Sequence, residues 1–283
     1  MFVDVAFIDH GCLFKMACAQ THVAAWEDQK RLSCFLEEDL AEFKAKEDYF
    51  TCNWDEACLL SSDGNVKVLG GAGKRKHEKN VADTRDSITL GRVGSSAGID
   101  GPRVFLAKGK ELQLDCMRNF TENHNAPPGS LVEMTPSAYM TTETWRKIMP
   151  RVCEGIRQME GIRDHPDWWV VLSLDGFESH LDPDASLDIF TEYNILVVKE
   201  EGDTSQVSQA YDQEVAKADK KWTRQLLDGY KFLSKRVVDQ WQLILVANQA
   251  LNEVSKTDAW RRSFIAVNMC PSCRKPFKQW KKR

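Results

Sequence analysis

Apolar side chains in the first third of the chain change from helical spacing to the pattern of strands. From His22 to Lys46 they recur every three or four residues, which predicts an amphipathic helix. The segments after it are rich in strand-forming residues and are joined by turns, among them Asp63-Gly64-Asn65. They predict an antiparallel meander of three strands: residues 49–60, Asp86–Val93 and Pro102–Ala107.

The second half of the chain predicts alternating helices and strands. The polar stretch Lys108–Pro136 predicts a long surface loop, and Thr141–Met159 predicts a helix that begins at a Thr-Thr-Glu cap. The continuous apolar run DWWVVLSLDG is typical of a strand buried on both faces. A helix at Pro183–Tyr193 and a strand at Asn194–Lys199 would complete a parallel strand-helix-strand unit. A further helix is predicted from Thr204 to about residue 235.

This order of elements is that of the ribonuclease-H-like fold. The predicted fold class is therefore α/β, with three antiparallel strands and a parallel strand-helix-strand unit in one mixed sheet flanked by helices. We expect three regions: a helical extension over residues 1–50, the ribonuclease-H-like domain over 51–235, and a helical, basic tail over 236–283.

Composition places the chain among ordinary globular proteins. Apolar residues make up 42% and charged residues 28%, and the formal net charge is -4, so any affinity for nucleic acid must come from local basic patches. The nine cysteines are odd in number and scattered, which favours a reducing compartment over a disulfide framework. We find no signal peptide and no apolar run of about 20 residues, so a soluble, intracellular protein without membrane contact is predicted.

Three aspartates occur where such a sheet would bring them together. Asp55 lies in the first strand, Asp175 ends the apolar fourth strand, and Asp212 lies near the start of the late helix. Clustered carboxylates repel one another, but they suit hard divalent cations. Two Mg²⁺ ions in such a cluster can support cleavage of a phosphodiester. The three residues are therefore candidate catalytic residues and metal ligands.

Spacing alone leaves the choice of ligands open. The chain has 42 acidic residues, and Glu56 lies beside Asp55 on a strand, where only one of the two can face the site. Rivals for the third ligand are Glu200, Glu201 and Asp203.

The sequence around each aspartate resembles a motif of the pogo/Tigger-like DDE superfamily endonucleases, which are mariner-like transposases. NWDEA resembles the first motif, N-x-D-E-[TS], and LSLDGFESH resembles the second, L-D-G-h-x-S-H. GDTSQVSQAYDQEVAK resembles the third, N-x-T-x-x-x-Q-P-L-D-x-x-V, with QAYD in place of Q-P-L-D. The resemblance covers roughly residues 50–230.

This resemblance implies a catalytic core that cleaves or transfers DNA strands with two Mg²⁺ or Mn²⁺ ions. It gives the ligand roles to Asp55, Asp175 and Asp212 and makes Glu56 an outward-facing neighbour. Relatives also carry a basic helix-turn-helix ahead of the core, whereas residues 1–50 are acidic to neutral. The alternative is therefore a catalytically silent, domesticated nucleic-acid-binding protein of the same fold. Both hypotheses, the nuclease and the silent binding protein, predict a nuclear protein with DNA as its partner. A homodimer is possible under either hypothesis.

Other polar groups are weaker candidates for contact with nucleic acid, and each has an ordinary structural alternative. The basic segment Lys74, Arg75 and Lys76 could contact phosphates or form a solvated loop, and His180 could orient a phosphate or bond the start of a helix. Lys281 and Lys282 lie in a basic, aromatic tail that could contact DNA or end as ordinary surface. Cys270 and Cys273 form one C-x-x-C without a second pair, which favours incidental thiols over zinc.

Overall fold

A mixed sheet is the centre of the computed structural model, which describes residues 49–61, 86–112, 114–174, 189–199, 209–234, 237–267 and 269. Six strands in the order β4-β3-β2-β1-β5-β6 form this sheet. Strands β1, β2 and β3 pair antiparallel, whereas β4 joins β3 in parallel and β5 and β6 continue in parallel from β1. The strands are β1 (Tyr49–Leu60), β2 (Ser87–Ser95), β3 (Asp100–Lys108), β4 (Leu131–Thr135), β5 (Trp169–Leu174) and β6 (Ile195–Lys199).

Helices cover both faces of this sheet. They are α1 (Phe120–His124), α2 (Thr142–Arg157), α3 (Ala216–Ser234), α4 (Gln240–Ser255) and α5 (Ala259–Ala266), with a 3₁₀ turn at Asp115–Met117 and a π-helical turn at Tyr211–Val215. Helix α2 packs on one face, and the π-helical turn, α3, α4 and α5 pack on the other. The mixed, helix-flanked sheet confirms the predicted fold class.

Alternating side chains of β1 enter cores on the two faces of the sheet. Trp54 packs against Trp145 of α2, with the ring centroids 5.5 Å apart. Ala57 belongs to the core on the other face, with Trp260 of α5. Residues two apart on a strand share a face, so Asn53 and Asp55 lie on the side of Ala57, under the π-helical turn.

Glycines in β2 allow the indole rings to lie close to the sheet. A Cβ atom at Gly91 would lie 2.4 Å from Cζ2 of Trp54, and one at Gly94 would lie 2.0 Å from Cε2 of Trp260. Both distances are shorter than any real contact, so a larger residue would displace the ring.

Side-chain caps start two of the helices that flank the sheet. The hydroxyl of Thr141 accepts a hydrogen bond from the backbone N–H of Thr144 at the start of α2, as the sequence predicted. Asp239 and Gln242 form a capping box at the start of α4. These contacts satisfy backbone donors that a helix start leaves unpaired.

The structure differs from the sequence prediction between Lys108 and Pro136. This stretch was predicted to be a long irregular loop, but it contains α1 and the five-residue strand β4. Strand β4 pairs with β3 at the edge of the sheet, from Val104↔Leu131 to Lys108↔Thr135. Pairing with a distant strand stabilises this short segment, and local pattern carries no sign of such pairing.

Candidate active site

Asp55 is a buried carboxylate near the middle of β1. Its side chain is 8% exposed, and its Oδ1 atom accepts a hydrogen bond of 2.7 Å from the backbone N–H of Glu56. Glu56 is the next residue along the strand, so its side chain lies on the opposite face. The sequence pattern could not choose between the two; the face under the π-helical turn is that of Asp55.

The first and fourth predicted strands are neighbours in the sheet, as the expected approach of Asp55 to Asp175 requires. Strands β1 and β5 run parallel, and the last paired residues are Asn53 and Ser173. Asp55 comes two residues after Asn53, and residue 175 comes two residues after Ser173. Asp175 itself lies outside the described residues, one position beyond the end of β5 at Leu174.

Asn53 links three elements at this point of the sheet. Its Nδ2 atom donates to Oγ of Ser173 at 3.0 Å and to the Ser173 carbonyl at 3.2 Å. Its Oδ1 atom accepts a hydrogen bond of 3.0 Å from the backbone N–H of Tyr211. The residue before Asp212 is therefore attached to β1 two positions before Asp55.

Asp212 lies in the π-helical turn that leads into α3. In this turn the N–H of Ala216 bonds the carbonyl of Tyr211, five residues earlier. Such turns are rare in proteins, and those that occur are often found at functional sites. The Asp212 side chain is half-buried.

A buried ion network lies under the same face, and we define it by Arg92, Asp100, Arg103 and Asp219. Arg92 is the β2 residue paired with Asp55, and its guanidinium contacts Asp219 of α3 through Nη1 and Asp100 at 2.9 Å. Arg103 donates to Asp100 at 2.6 Å. Two positive and two negative groups thus contact one another directly.

Neutral groups complete the hydrogen bonding of this network. Asp100 accepts hydrogen bonds from Ser255 at 2.7 Å and from Trp260 at 3.1 Å. The Tyr211 hydroxyl donates to Asp219 at 3.1 Å. Because Tyr211 precedes Asp212, the network holds the π-helical turn against the sheet from below while Asn53 holds its backbone.

The electrostatics of the network favour the ionised form of Asp100 and the protonated form of Tyr211. Burial alone would raise the pKa of Asp100, but Arg92 and Arg103 outweigh it and hold that pKa below its ordinary value. Burial, followed by the charge of Asp219, raises the pKa of Tyr211 well above its ordinary value, and Asp55 adds to this shift. The phenol therefore stays protonated and remains a donor at neutral pH.

Sequence reasoning did not identify Asn53, Arg92, Arg103 or Asp219 as part of the site. One signal for the arginines existed, because each lies between apolar residues or glycine inside a strand, and a charge at such a position needs a buried partner. The identity of that partner depends on contacts across the fold, such as that between residues 92 and 219.

Several predicted residues fall outside the described ranges. They are Lys74, Arg75, Lys76, Asp175, His180, Glu200, Glu201, Asp203, Cys270, Cys273, Lys281 and Lys282, together with the predicted helix His22–Lys46. Among the residues that the structure does describe, no group of three or more His, Cys, Asp or Glu could hold a metal ion. The same part of the chain has no helix long and apolar enough to cross a bilayer.

The strand order, the mixed pairing and the helices on both faces define a ribonuclease-H-like fold. Solved structures of the Mos1 mariner transposase share it over most of this chain. A paired-end complex with Mn has a TM-score of 0.52 at 12% identity, covering 95% of this chain and 67% of the transposase chain. A pre-cleavage transpososome has a TM-score of 0.51 at 10% identity, with coverages of 96% and 66%.

A third Mos1 structure, the paired-end complex with the left transposon end, gives a TM-score of 0.51 at 12% identity and covers 69% of that chain. This chain thus spans about two thirds of the transposase chains. No protein-family model matches the sequence, and no curated protein matches it. At this low identity the similarity establishes the fold, and at that level it confirms the resemblance suggested by the three motifs.

Proposed function

We propose that this chain is the core of a DDE-type DNA nuclease or strand transferase that uses divalent metal. The observation that carries the proposal is the bridge from Asn53 to Ser173 and Tyr211. This bridge links the strand of Asp55, the strand that precedes Asp175 and the turn that bears Asp212. It supports the proposal because the elements that contain or lead into the three motifs are neighbours.

The residues present fit a hard divalent cation. Carboxylate oxygens are the preferred ligands of Mg²⁺, and neither cysteine nor histidine is needed. Asp55, Asp175 and Asp212 would hold two Mg²⁺ or Mn²⁺ ions. Bound there, such ions lower the pKa of an attacking water or hydroxyl and stabilise the leaving oxygen of a phosphodiester.

The rest of the machinery would consist of groups that orient these ligands. The backbone N–H of Glu56 fixes one oxygen of Asp55, and Asn53 fixes the backbone beside Asp212. The side-chain amide nitrogen of Gln209 is buried and lacks a hydrogen-bond partner in the described part of the chain. It lies three residues before Asp212, so it is a candidate donor to a phosphate oxygen of the substrate.

DNA is the proposed substrate because the similar solved structures include a transpososome and a complex with a transposon end, and because the motifs resemble those of DNA-cleaving relatives. The matched region is about two thirds of a transposase chain, so the proposal concerns cleavage and strand transfer by the core. Action in the nucleus follows only if DNA is the substrate.

A plasmid-nicking assay tests this proposal. The full chain should nick supercoiled DNA in the presence of Mg²⁺ or Mn²⁺, and Asp175→Asn should abolish the nicking while the circular dichroism spectrum stays unchanged. The matched control is Asp164→Asn, at a carboxylate that is 65% exposed on the loop before β5; it should nick as wild type does. Nicking that survives Asp175→Asn refutes the ligand assignment. DNA binding without any metal-dependent nicking would instead support the catalytically silent alternative.

A further inference from the structure

The solvent face of α3 carries positive charges only over its first two and a half turns. Lys217, Lys220, Lys221 and Arg224 are exposed, and these four residues are named the α3 cationic face. The one acidic residue in this stretch, Asp219, is buried in the ion network on the opposite side of the helix. The next exposed acid along α3 is Asp228.

The spacing of these residues places them on one stripe. At 3.6 residues per turn, positions three, four and seven apart lie on the same side of a helix. From residue 217 to residue 224 the helix rises about 10 Å. One DNA strand advances about 3.4 Å per phosphate along the duplex axis, so the stripe spans roughly three phosphates.

The three lysines of this face have no acidic partner among the residues that the structure describes. Within the described ranges, no carboxylate lies within ion-pair distance of Lys217, Lys220 or Lys221. Some exposed basic side chains elsewhere on the surface are neutralised at short range; such pairs are Lys147–Glu133, Lys256–Glu253 and Arg262–Glu214, with distances of 2.7, 2.7 and 2.6 Å. Like charges held together without counter-charges are unfavourable unless an anionic partner binds them.

The π-helical turn brings the candidate metal ligand close to this face. Its hydrogen bond from Ala216 back to Tyr211 spans five residues, and Asp212 and Lys217 are also five residues apart. Residues separated by this interval are about one turn apart along such a helix. The α3 cationic face therefore begins about one helical turn from Asp212.

We infer that the α3 cationic face binds backbone phosphates of the DNA strand next to the phosphodiester that is cleaved. The inference rests on the proposed function, since it takes Asp212 to mark the reaction centre. The whole chain has a net charge of -4, so its overall field does not attract DNA and a local patch must supply the attraction. Phosphate contacts of this kind position the duplex and carry no sequence preference.

Binding of a fluorescent DNA duplex without metal tests the inference. The triple variant Lys217→Gln/Lys220→Gln/Lys221→Gln removes three charges but keeps good helix formers. Loss of three phosphate contacts should flatten the slope of log K against log[salt] by about 2.7 and weaken binding on the order of 100-fold at about 0.15 M salt. Anisotropy over a salt series measures both quantities.

The matched control removes three charges from α2, on the opposite face of the sheet. Arg146→Gln/Lys147→Gln/Arg151→Gln changes the net charge by the same amount, and it should alter the affinity for DNA by less than about threefold because its charges lie far from the bound duplex. Equal losses in the two triple variants would show a general charge effect and overturn the inference. Binding of the wild type to phosphatidylserine vesicles but not to DNA would also overturn it.

The nicking assay separates this inference from the proposed function. If the wild type nicks DNA and the α3 triple variant binds and nicks equally well, the inference about α3 is wrong and the proposed function stands. If DNA binding depends on α3 but no divalent metal supports nicking, the phosphate-binding face stands and the nuclease proposal is wrong.

Discussion

Removing the Arg92 guanidinium tests whether the buried ion network holds the π-helical turn against the sheet. Arg92 and Asp219 are both 0% exposed and contact each other directly. In Arg92→Met, Asp219 loses this cationic partner and keeps the hydrogen bond from Tyr211, whereas Asp100 still has Arg103. An uncompensated buried charge of this kind lowers the free energy of unfolding by about 3–5 kcal/mol.

The partner variant removes the other half of the pair. In Asp219→Asn the amide oxygen can still accept from Tyr211, and Arg92 keeps Asp100, so the expected loss is about 1.5–3 kcal/mol, the value of a hydrogen bond to a charged group. The double variant has no buried carboxylate at position 219 that lacks a cationic partner. Its loss should therefore be smaller than the sum of the two single losses by at least about 2 kcal/mol.

Equilibrium unfolding in urea, followed by tryptophan fluorescence, gives these free energies. The same cycle on the exposed pair Lys147–Glu133 is the control and should give a coupling of no more than about 1 kcal/mol. If the losses of Arg92→Met and Asp219→Asn simply add, within about 0.5 kcal/mol, the two groups do not stabilise one another and the reasoning fails.

Two further predictions concern the site and the thiols. Asn53→Ala removes the bridge beside Asp212. Metal-dependent nicking should therefore fall about 10–100-fold and need a higher Mg²⁺ concentration, because groups that orient metal ligands contribute to metal affinity and activity by about this factor. A Mg²⁺ titration of nicking that matches wild type would contradict this. Burial raises the pKa of Cys52 and of Cys153 to about 12, so both thiols stay protonated at pH 8 and should resist iodoacetamide until the protein unfolds. Peptide mass mapping checks this result, and modification of either thiol in the folded protein would contradict it.

The central strands could be predicted because their signals are local. Strand β1 follows from a segment rich in strand formers at residues 49–60, and β5 from its apolar run. The parallel pairing of these two strands followed from the fold class, and with it the closeness of Asp55 to the end of β5. The ligand roles of Asp55, Asp175 and Asp212 stay predictions.

What local pattern could not predict depends on contacts between distant parts of the chain. The edge strand β4 has only five residues and is stabilised by β3. The ion network joins Arg92 to Asp219, 127 residues later, and no spacing rule connects them. Asn53 was visible in the first motif, but its role as a bridge required the fold.

Anomalous diffraction from crystals grown with Mn²⁺ and a DNA duplex tests the central claim most directly. The account predicts two Mn²⁺ peaks about 3.5–4 Å apart, coordinated by carboxylate oxygens of Asp55, Asp175 and Asp212. Peaks at other carboxylates, or an ordered structure in which these three side chains share no ion, would contradict it.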